Sequence, residues 1–390
     1  MPPPLSRIKV AILDDYPNIA PPIFSHLSPN FTFTSFPDTL PPYNHPSTTP
    51  SQKQELIERL KPFPVISCMR ERTPFPAELL RELPNLKLLM TTGRRNLGID
   101  GEEARRLSID VTGTSSGRRA HGSKTEKGVV DKKDGEKSRK SGPDSTTQHT
   151  ISLILGLAKN LADDNTSIRT GGWQTGLSTG LAGKTLGLVG LGKLGVAVGR
   201  IMHLAFGMRV LAWSQNLTQE RADEAAVSAG LSVVDEEIGG KTFTVVSKET
   251  LFRESDVISI HVVLSDRSRG VITLSDLELM KGSALFVNTS RGPIVDEDAL
   301  LIILERGAIR GAALDVFELS PLPQDSRWRT TEWGKEGRAR VLLTPHTGYV
   351  EGEGMKGWYG EQAGVLGDWE RGVVRGLLNE GVGRRVGGRL

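Results

Sequence analysis

The stretch from Gly187 to Ser214 constrains this chain more than any other. Thr185–Val189 is a short apolar run suited to a buried strand, and Gly190, Gly192 and Gly195 follow it as G-x-G-x-x-G. Apolar residues then recur at helical spacing (Leu194, Ala197, Val198, Ile201, Leu204), and Arg209–Trp213 reads as a second buried strand. Strand, glycine turn, helix and strand within about thirty residues is the setting in which this glycine pattern takes a dinucleotide. Gly190 permits the tight turn, Gly192 lets backbone approach a pyrophosphate, and Gly195 lets the helix lie close on the strand. The N–H groups of Lys193, Leu194 and Gly195, free at the start of the helix, attract the diphosphate. With 44 glycines in 390 residues the triplet alone says little, so the flanking elements carry the reading.

A chain of 390 residues has room for two domains. No apolar run approaches a membrane span, and Met1-Pro-Pro-Pro-Leu-Ser-Arg lacks the apolar core of a signal peptide. Cys68 is the only cysteine, which excludes a disulfide framework and a thiolate metal site, and the histidines show no metal-ligand spacing. The expectation is a cytoplasmic protein with no metal and no membrane partner. The last residues, Gly388-Arg389-Leu390, loosely resemble a peroxisomal address, a weaker alternative. The net charge of +3 does not point to nucleic acid. Between Arg118 and Lys140, nine Lys/Arg face four Asp/Glu, and the rest of the chain is net −2.

In chain order, Lys9–Leu13, Val65–Met69, Leu86–Met90 and Ile109–Val111 read as strands. Gln52–Leu60, Glu78–Glu82 and a segment from Asp100 to Leu107 read as helices. This alternation predicts a first parallel α/β domain over residues 1–117. Residues 118–145 are charged and almost free of apolar side chains, and are expected to be a disordered insertion. Residues 146–346 are expected to form the dinucleotide-binding domain, opened by a linking helix over Gln148–Leu161. Val257–His261, Ala284–Asn288, Ala312–Leu314 and Val341–Leu343 supply its further strands. Residues 347–390 are expected to return to the first domain through a helix bearing Trp358, Tyr359, Val365, Leu366 and Trp369.

Ligands of such sheets bind outside the carboxyl ends of the strands. The residues found there are Thr289-Ser290-Arg291, Asp315 and His346. Arg can hold a carboxylate and a carbonyl together, and His can donate a proton to a forming alkoxide. That set, beside a hydride donor, suits reduction of a 2-keto acid. Taken singly, Arg291 reads more readily as a loop ion pair and His346 as a satisfied loop residue than as catalytic groups. Two G-x-S-x-G matches, at Gly113–Gly117 and Gly176–Gly180, do not sit between a strand and a helix, which argues against a hydrolase.

The chain resembles the D-isomer-specific 2-hydroxyacid dehydrogenases, in the branch similar to glyoxylate and hydroxypyruvate reductases. Leu186–Trp213, Val287–Leu300, Gly311–Glu318 and Thr344–Gly348 match family motifs in order. The resemblance implies an α/β chain of two Rossmann-like domains with doubly wound parallel sheets and a cleft between them. It implies a catalytic arginine at Arg291, an acid–base histidine at His346, and contact of Asp315 with the nicotinamide carboxamide. It places Gly190, Gly192, Lys193, Leu194, Gly195, Ser214 and Thr289 with the cofactor, and Arg70, Arg72, Thr92 and Gly93 with the substrate. It also implies a homodimer paired through the cofactor domain.

Three departures from the family pattern stand out. Ser320, before Pro321, occupies the position of the family's glutamate, which pairs with the histidine. A serine supplies no charge, so the expectation is a weakened enzyme with a more acidic optimum, Glu318 being the nearest substitute. Trp213-Ser214-Gln215-Asn216 carries no acid for a ribose hydroxyl, so NAD(P)H is expected with NADPH slightly favoured. The insertion lies just before the linking helix, and Gln148 stands where the family has an acid. The alternative from another class is a nicotinamide-binding protein without turnover, a cofactor sensor of corepressor type.

Overall fold

The computed structural model describes residues 7–94, 96–115, 142–237, 239–374 and 376–379. The charged segment beyond Arg118 and the tail from Gly381 lie outside the described residues. Contacts divide the described chain into two units. One takes the residues before 116 and after 349, and the other takes 142–349.

The first unit contains β1 (Ile8–Leu13), α1 (Ala20–Phe24), β2 (Phe31–Phe36), α2 (Pro50–Leu60), β3 (Val65–Cys68), α3 (Ala77–Arg81), β4 (Leu88–Thr91), α4 (Gly101–Arg106) and β5 (Asp110–Gly113). The strands pair in parallel in the order β2-β1-β3-β4-β5. β3 and β4 are buried along their whole length, as continuous apolar strands covered on both faces should be. Helix starts follow local chemistry. Thr49 and Gln52 close a capping box ahead of Pro50, and Asp100 accepts the Glu103 N–H at 2.9 Å. The sequence reading passed over β2. Its Phe-Thr-Phe-Thr pattern is the period-2 alternation of a half-exposed edge strand.

The second unit begins with α5 (Ser145–Ala158) and α6 (Leu161–Arg169) and continues through β6 (Thr185–Val189), α7 (Lys193–Phe206), β7 (Arg209–Trp213) and α8 (Gln219–Ser228). A two-residue hairpin of β8 (Val234–Asp235) and β9 (Gly240–Lys241) leads to β10 (Phe243–Val245), α9 (Lys248–Glu254) and β11 (Val257–Ile260). Then come α10 (Leu274–Leu277), β12 (Leu285–Asn288), α11 (Glu297–Glu305), β13 (Gly311–Leu314), α12 (Arg327–Thr330) and β14 (Arg340–Leu343). Seven strands form one parallel sheet in the order β10-β7-β6-β11-β12-β13-β14. The chain re-enters the first unit with α13 (Gly352–Glu370), whose buried face includes Met355, Trp358, Tyr359 and Leu366.

Both faces of the seven-stranded sheet are covered. Leu285 and Val287 of β12 join Leu153, Ile154, Val198 and Met202 in one core layer. Phe286 points the other way, among Phe252, Leu300, Ile303 and Trp328. Helix α5 therefore belongs to the core of this unit rather than serving as a bare linker. It starts earlier than its apolar periodicity suggested, because Asp144 caps it through the Thr147 N–H at 3.0 Å. Asp144 and Ser145 thus belong to this helix and not to the insertion. The helix stops at Asn160, whose φ of 55° is left-handed, and Leu161 opens α6 instead of closing α5. β10 and α9 were also absent from the sequence reading.

Phe286 is fully buried at the middle of the sheet. Phe286→Ala is expected to cost about 3–5 kcal/mol, read as a lower midpoint in denaturant unfolding followed by circular dichroism.

Candidate active site

The order of the seven strands reverses at β6, with β7 and β11 on its two sides. The crevice at the carboxyl ends of β6 and β11 is the topological switch point, where open α/β sheets bind ligands. Gly190 sits there with φ 105°, and its N–H donates to Trp213 O at 2.8 Å. A Cβ on Gly190 would lie 2.9 Å from His261 and Val262, so the turn is pressed against the end of β11. A Cβ on Gly195 would lie 2.2 Å from the carbonyl oxygen of Gly190, the close approach of helix to turn that its place in the motif requires. A Cβ on Gly192 would meet nothing within 4 Å, which leaves an open cradle in front of the helix.

Gly192 is the N-cap of α7 and offers no side-chain cap, and no acidic residue occupies the first turn. The N–H groups of Lys193 and Leu194 therefore lie beside the open space at Gly192 with a positive helix end behind them, and Gly195 packs behind them against the turn. These residues fit the diphosphate of a dinucleotide. His261, missed by the sequence reading, walls the turn from behind. Burial pushes its imidazole down to about 4, so it stands neutral beside Ser259, 2.9 Å away.

The turn after β7 holds Ser214, Gln215 and Asn216. Arg221 donates to Asn216 O at 3.2 Å and so brings a guanidinium to a turn that has no basic residue of its own. Lys248 lies 5.6 Å from the Trp213 ring centroid, held by Asp276 at 2.8 Å.

After β12, Asn288 shapes the loop. Its side chain donates to Arg291 O at 3.0 Å and accepts the Ser290 N–H at 3.0 Å. Arg291 itself is extended, with φ −150°, and donates to Ser290 O at 2.7 Å. Thr289 is buried against α5, where its hydroxyl meets that of Thr150 at 2.8 Å. Thr150 already donates to Thr146 O at 2.8 Å, so Thr289 is the donor of that pair.

After β13, Asp315 is buried and its carboxylate is fully engaged. Oδ1 accepts from Thr344 Oγ1 at 2.6 Å, Thr347 N–H at 2.8 Å and His149 Nε2 at 3.2 Å, and Oδ2 accepts from Gly348 N–H at 2.9 Å. Burial opposes the charge. The hydrogen bonds from His149, Thr344, Gly348 and Thr347 outweigh it and hold the carboxyl below the ordinary range. Both amides that follow His346 are thereby fixed. His346 adopts φ 54°, and its ring meets Tyr349 edge-on at 5.7 Å. The resemblance put Asp315 against the cofactor amide; in the structure its carboxylate builds the loop that carries His346.

Ser320 makes no side-chain hydrogen bond among the described residues. Glu318 is exposed and turned towards Arg269 at 3.6 Å, while its N–H donates to Glu297 at 2.8 Å. Among the described residues no group of three or more His, Cys, Asp or Glu is placed to hold a metal, and no helix is long and apolar enough to cross a membrane.

In the first unit the order β2-β1-β3-β4-β5 reverses between β1 and β3. The four residues assigned to substrate gather at that edge. The Thr92 hydroxyl accepts Arg70 N–H at 3.0 Å, and Gly93 N–H donates to Thr114 Oγ1 at 2.7 Å. Asn96 donates to Arg70 O at 2.6 Å. Arg70 lies 6.0 Å from the Trp358 ring and Arg72 lies 5.5 Å from that of Tyr16. Asp14, buried at the end of β1, accepts from the hydroxyls of Thr39 and Thr73 and so ties down the loop that carries Arg72.

A glycine turn at the reversal of a doubly wound sheet, in front of an uncapped helix, marks the second unit as a dinucleotide-binding domain. Known proteins narrow this further. The model of the D-isomer specific 2-hydroxyacid dehydrogenase, NAD binding domain, matches residues 151–348. Glyoxylate reductase of Thermococcus litoralis is 32% identical over 289 residues, 72% of this chain and 72% of that protein. Hydroxypyruvate reductase of Thermotoga maritima is 29% identical over 307 residues, 78% of this chain and 84% of that protein. The crystal structure of phosphoglycerate oxidoreductase from Vibrio cholerae matches with a TM-score of 0.73 at 30% identity, over 94% of this chain and 100% of that one. This chain belongs to the D-isomer specific 2-hydroxyacid dehydrogenase family, and it is an NAD(P)-dependent dehydrogenase of that family.

Two expectations follow. Gly195→Ala forces the turn off the helix and is expected to abolish nicotinamide-nucleotide binding in a fluorescence titration, with a stability loss of about 1–3 kcal/mol. Burial raises the carboxyl of Asp14 above its ordinary range, against the hydroxyls of Thr39 and Thr73 and the charge of Arg72. The folded protein then holds this proton more tightly than the unfolded chain, so stability falls as pH rises through that window. Asp14→Asn cannot ionise and is expected to flatten the fall, read from urea midpoints between about pH 4 and pH 7.

Proposed function

We propose that this protein reduces a small 2-keto acid to the D-2-hydroxy acid, with glyoxylate first and hydroxypyruvate second among its substrates. The observation that carries the reading is the loop clamped on Asp315, which presents His346 at the same strand-end edge of the sheet as Arg291 and the Gly190 turn. A reduced nicotinamide, when bound, supplies the hydride. Arg291 holds the carboxylate and polarises the carbonyl oxygen. His346 gives its proton to that oxygen as the carbon accepts the hydride, so C=O becomes CH–OH. Arg70, Arg72, Thr92 and Gly93 are assigned to substrate contacts. The glyoxylate and hydroxypyruvate reductases among the relatives support the choice of acid.

The cofactor assigned is NAD(P)H, with NADPH slightly favoured. Ser214 and Asn216 offer hydrogen bonds where a carboxylate would repel a 2′-phosphate, and Arg221 adds positive charge at the turn. The partner assigned is a second copy, paired through the cofactor domain. Leu161, Ile168, Trp173, Leu177 and Leu204 of this domain are 53–88% exposed. The polar groups of the same segment are satisfied inward, as Arg340 donates to Thr175 O at 3.0 Å and Thr175 Oγ1 to Asp164 at 2.6 Å.

Oxidation of NADPH and NADH, followed by absorbance against a panel of 2-keto acids from acidic to neutral pH, tests the reading. Glyoxylate is expected to turn over best, below about 10 per second and faster at acidic pH. Ser320→Glu is expected to raise turnover and move the optimum towards neutrality, because a carboxylate beside an imidazole favours its protonated form. An unchanged profile refutes the role given to position 320. Binding of both cofactors with no turnover on any acid would replace the reductase with a cofactor sensor.

A further inference from the structure

His149 lies in the first turns of α5 and is 20% exposed. Its Nε2 meets Asp315 Oδ1 at 3.2 Å and Thr344 Oγ1 at 3.0 Å. Thr344 spends its only hydroxyl proton on Asp315, at 2.6 Å. Towards His149, then, Thr344 is an acceptor, as is the carboxylate. Nε2 must therefore carry a proton and share it between two acceptors. This places a donor from a core helix under the loop that runs from Thr344 to Gly348. A Cβ on Gly348 would lie 3.3 Å from the His149 ring, so ring and loop are in direct contact. The loop needs such support, because His346 holds a left-handed conformation that a side chain disfavours. Ser145 closes the same seam, donating to Gly348 O at 2.9 Å.

We propose that His149 is a positioning residue for turnover. By donating to Asp315 and Thr344 it fixes the loop that presents His346. It touches neither substrate nor cofactor, and acts through those two side chains. This rests on the reading of His346 as the proton donor.

The test uses the full chain, with glyoxylate and each of NADPH and NADH. His149→Phe keeps the ring volume and removes the donor. It is expected to lower kcat roughly 10- to 100-fold while KM and cofactor affinity stay within about twofold. His149→Gln restores an N–H near the position of Nε2 and is expected to recover most of the loss. Amide hydrogen exchange at Thr347 and Gly348 is expected to quicken about tenfold or more in His149→Phe and to return towards the original rate in His149→Gln. Thr344→Val reads the same clamp from its other arm and is expected to shift exchange and kcat in the same direction, so it decides the matter should His149→Phe not fold. Unchanged exchange overturns the proposal whatever the turnover. Unchanged kcat in His149→Phe, alongside loss of turnover in His346→Asn, overturns it too. Full turnover in His346→Asn instead refutes the donor reading, and the exchange rates still decide whether His149 holds the loop.

Discussion

The carboxylate of Asp315 is the charge on which the candidate site depends. An ionised group at 1% exposure is stable only if its lone pairs are filled, and four donors fill them. Two of those donors are backbone amides of the loop after β14, so satisfying the charge and shaping the loop are one event. Asp14 poses the same problem in the first unit and solves it differently. Two threonine hydroxyls and the nearby Arg72 do not offset its burial, and its carboxyl is raised where that of Asp315 is lowered. The number of donors explains the contrast. Asp315 accepts from His149 and Thr344 and then from the amides of Gly348 and Thr347, while Asp14 has only the two threonine hydroxyls and the charge of Arg72 against its burial.

The strand orders determine where these aspartates can matter. In each sheet the strand order reverses once, and loops part at the carboxyl ends of the two strands that flank the reversal. In the first unit the parting falls between β1 and β3, and Asp14, Arg70 and Arg72 emerge there. In the second it falls between β6 and β11, where the Gly190 turn lies against His261. Arg291, Asp315 and His346 leave the next strands along the same edge. Side chains from far-separated parts of the sequence share an edge because the parallel sheet aligns all its strand ends.

This alignment also explains how much could be read from sequence. Buried strands are apolar runs, so β1, β3, β4, β6, β7, β11, β12 and β13 stood out, and the residues after them supplied candidate site residues. Among the edge strands, β2 alternates and β10 is only three residues long, and both were passed over. So was α9, though Ser247 caps it through Thr250 N–H at 3.0 Å. Helix α5 was found by its apolar side but misjudged at both ends, where a capping aspartate and a left-handed asparagine decide its limits. His149 left no trace at all. Its partners are 166 and 195 residues away, and no local pattern encodes a bond over that distance.

With serine at position 320, the question is which group can still handle a proton at this edge. Asp315 cannot, because its hydrogen bonds hold it ionised below the ordinary carboxylate range and leave it no part in proton transfer near neutral pH. Glu318 is drawn outward to Arg269. His261 is buried, neutral and bound to Ser259. His149 must keep its Nε2 proton to satisfy two acceptors. On the proposed reading, elimination leaves His346, in a loop whose backbone the others hold still. The chain thus invests its buried charge in the placement of one imidazole.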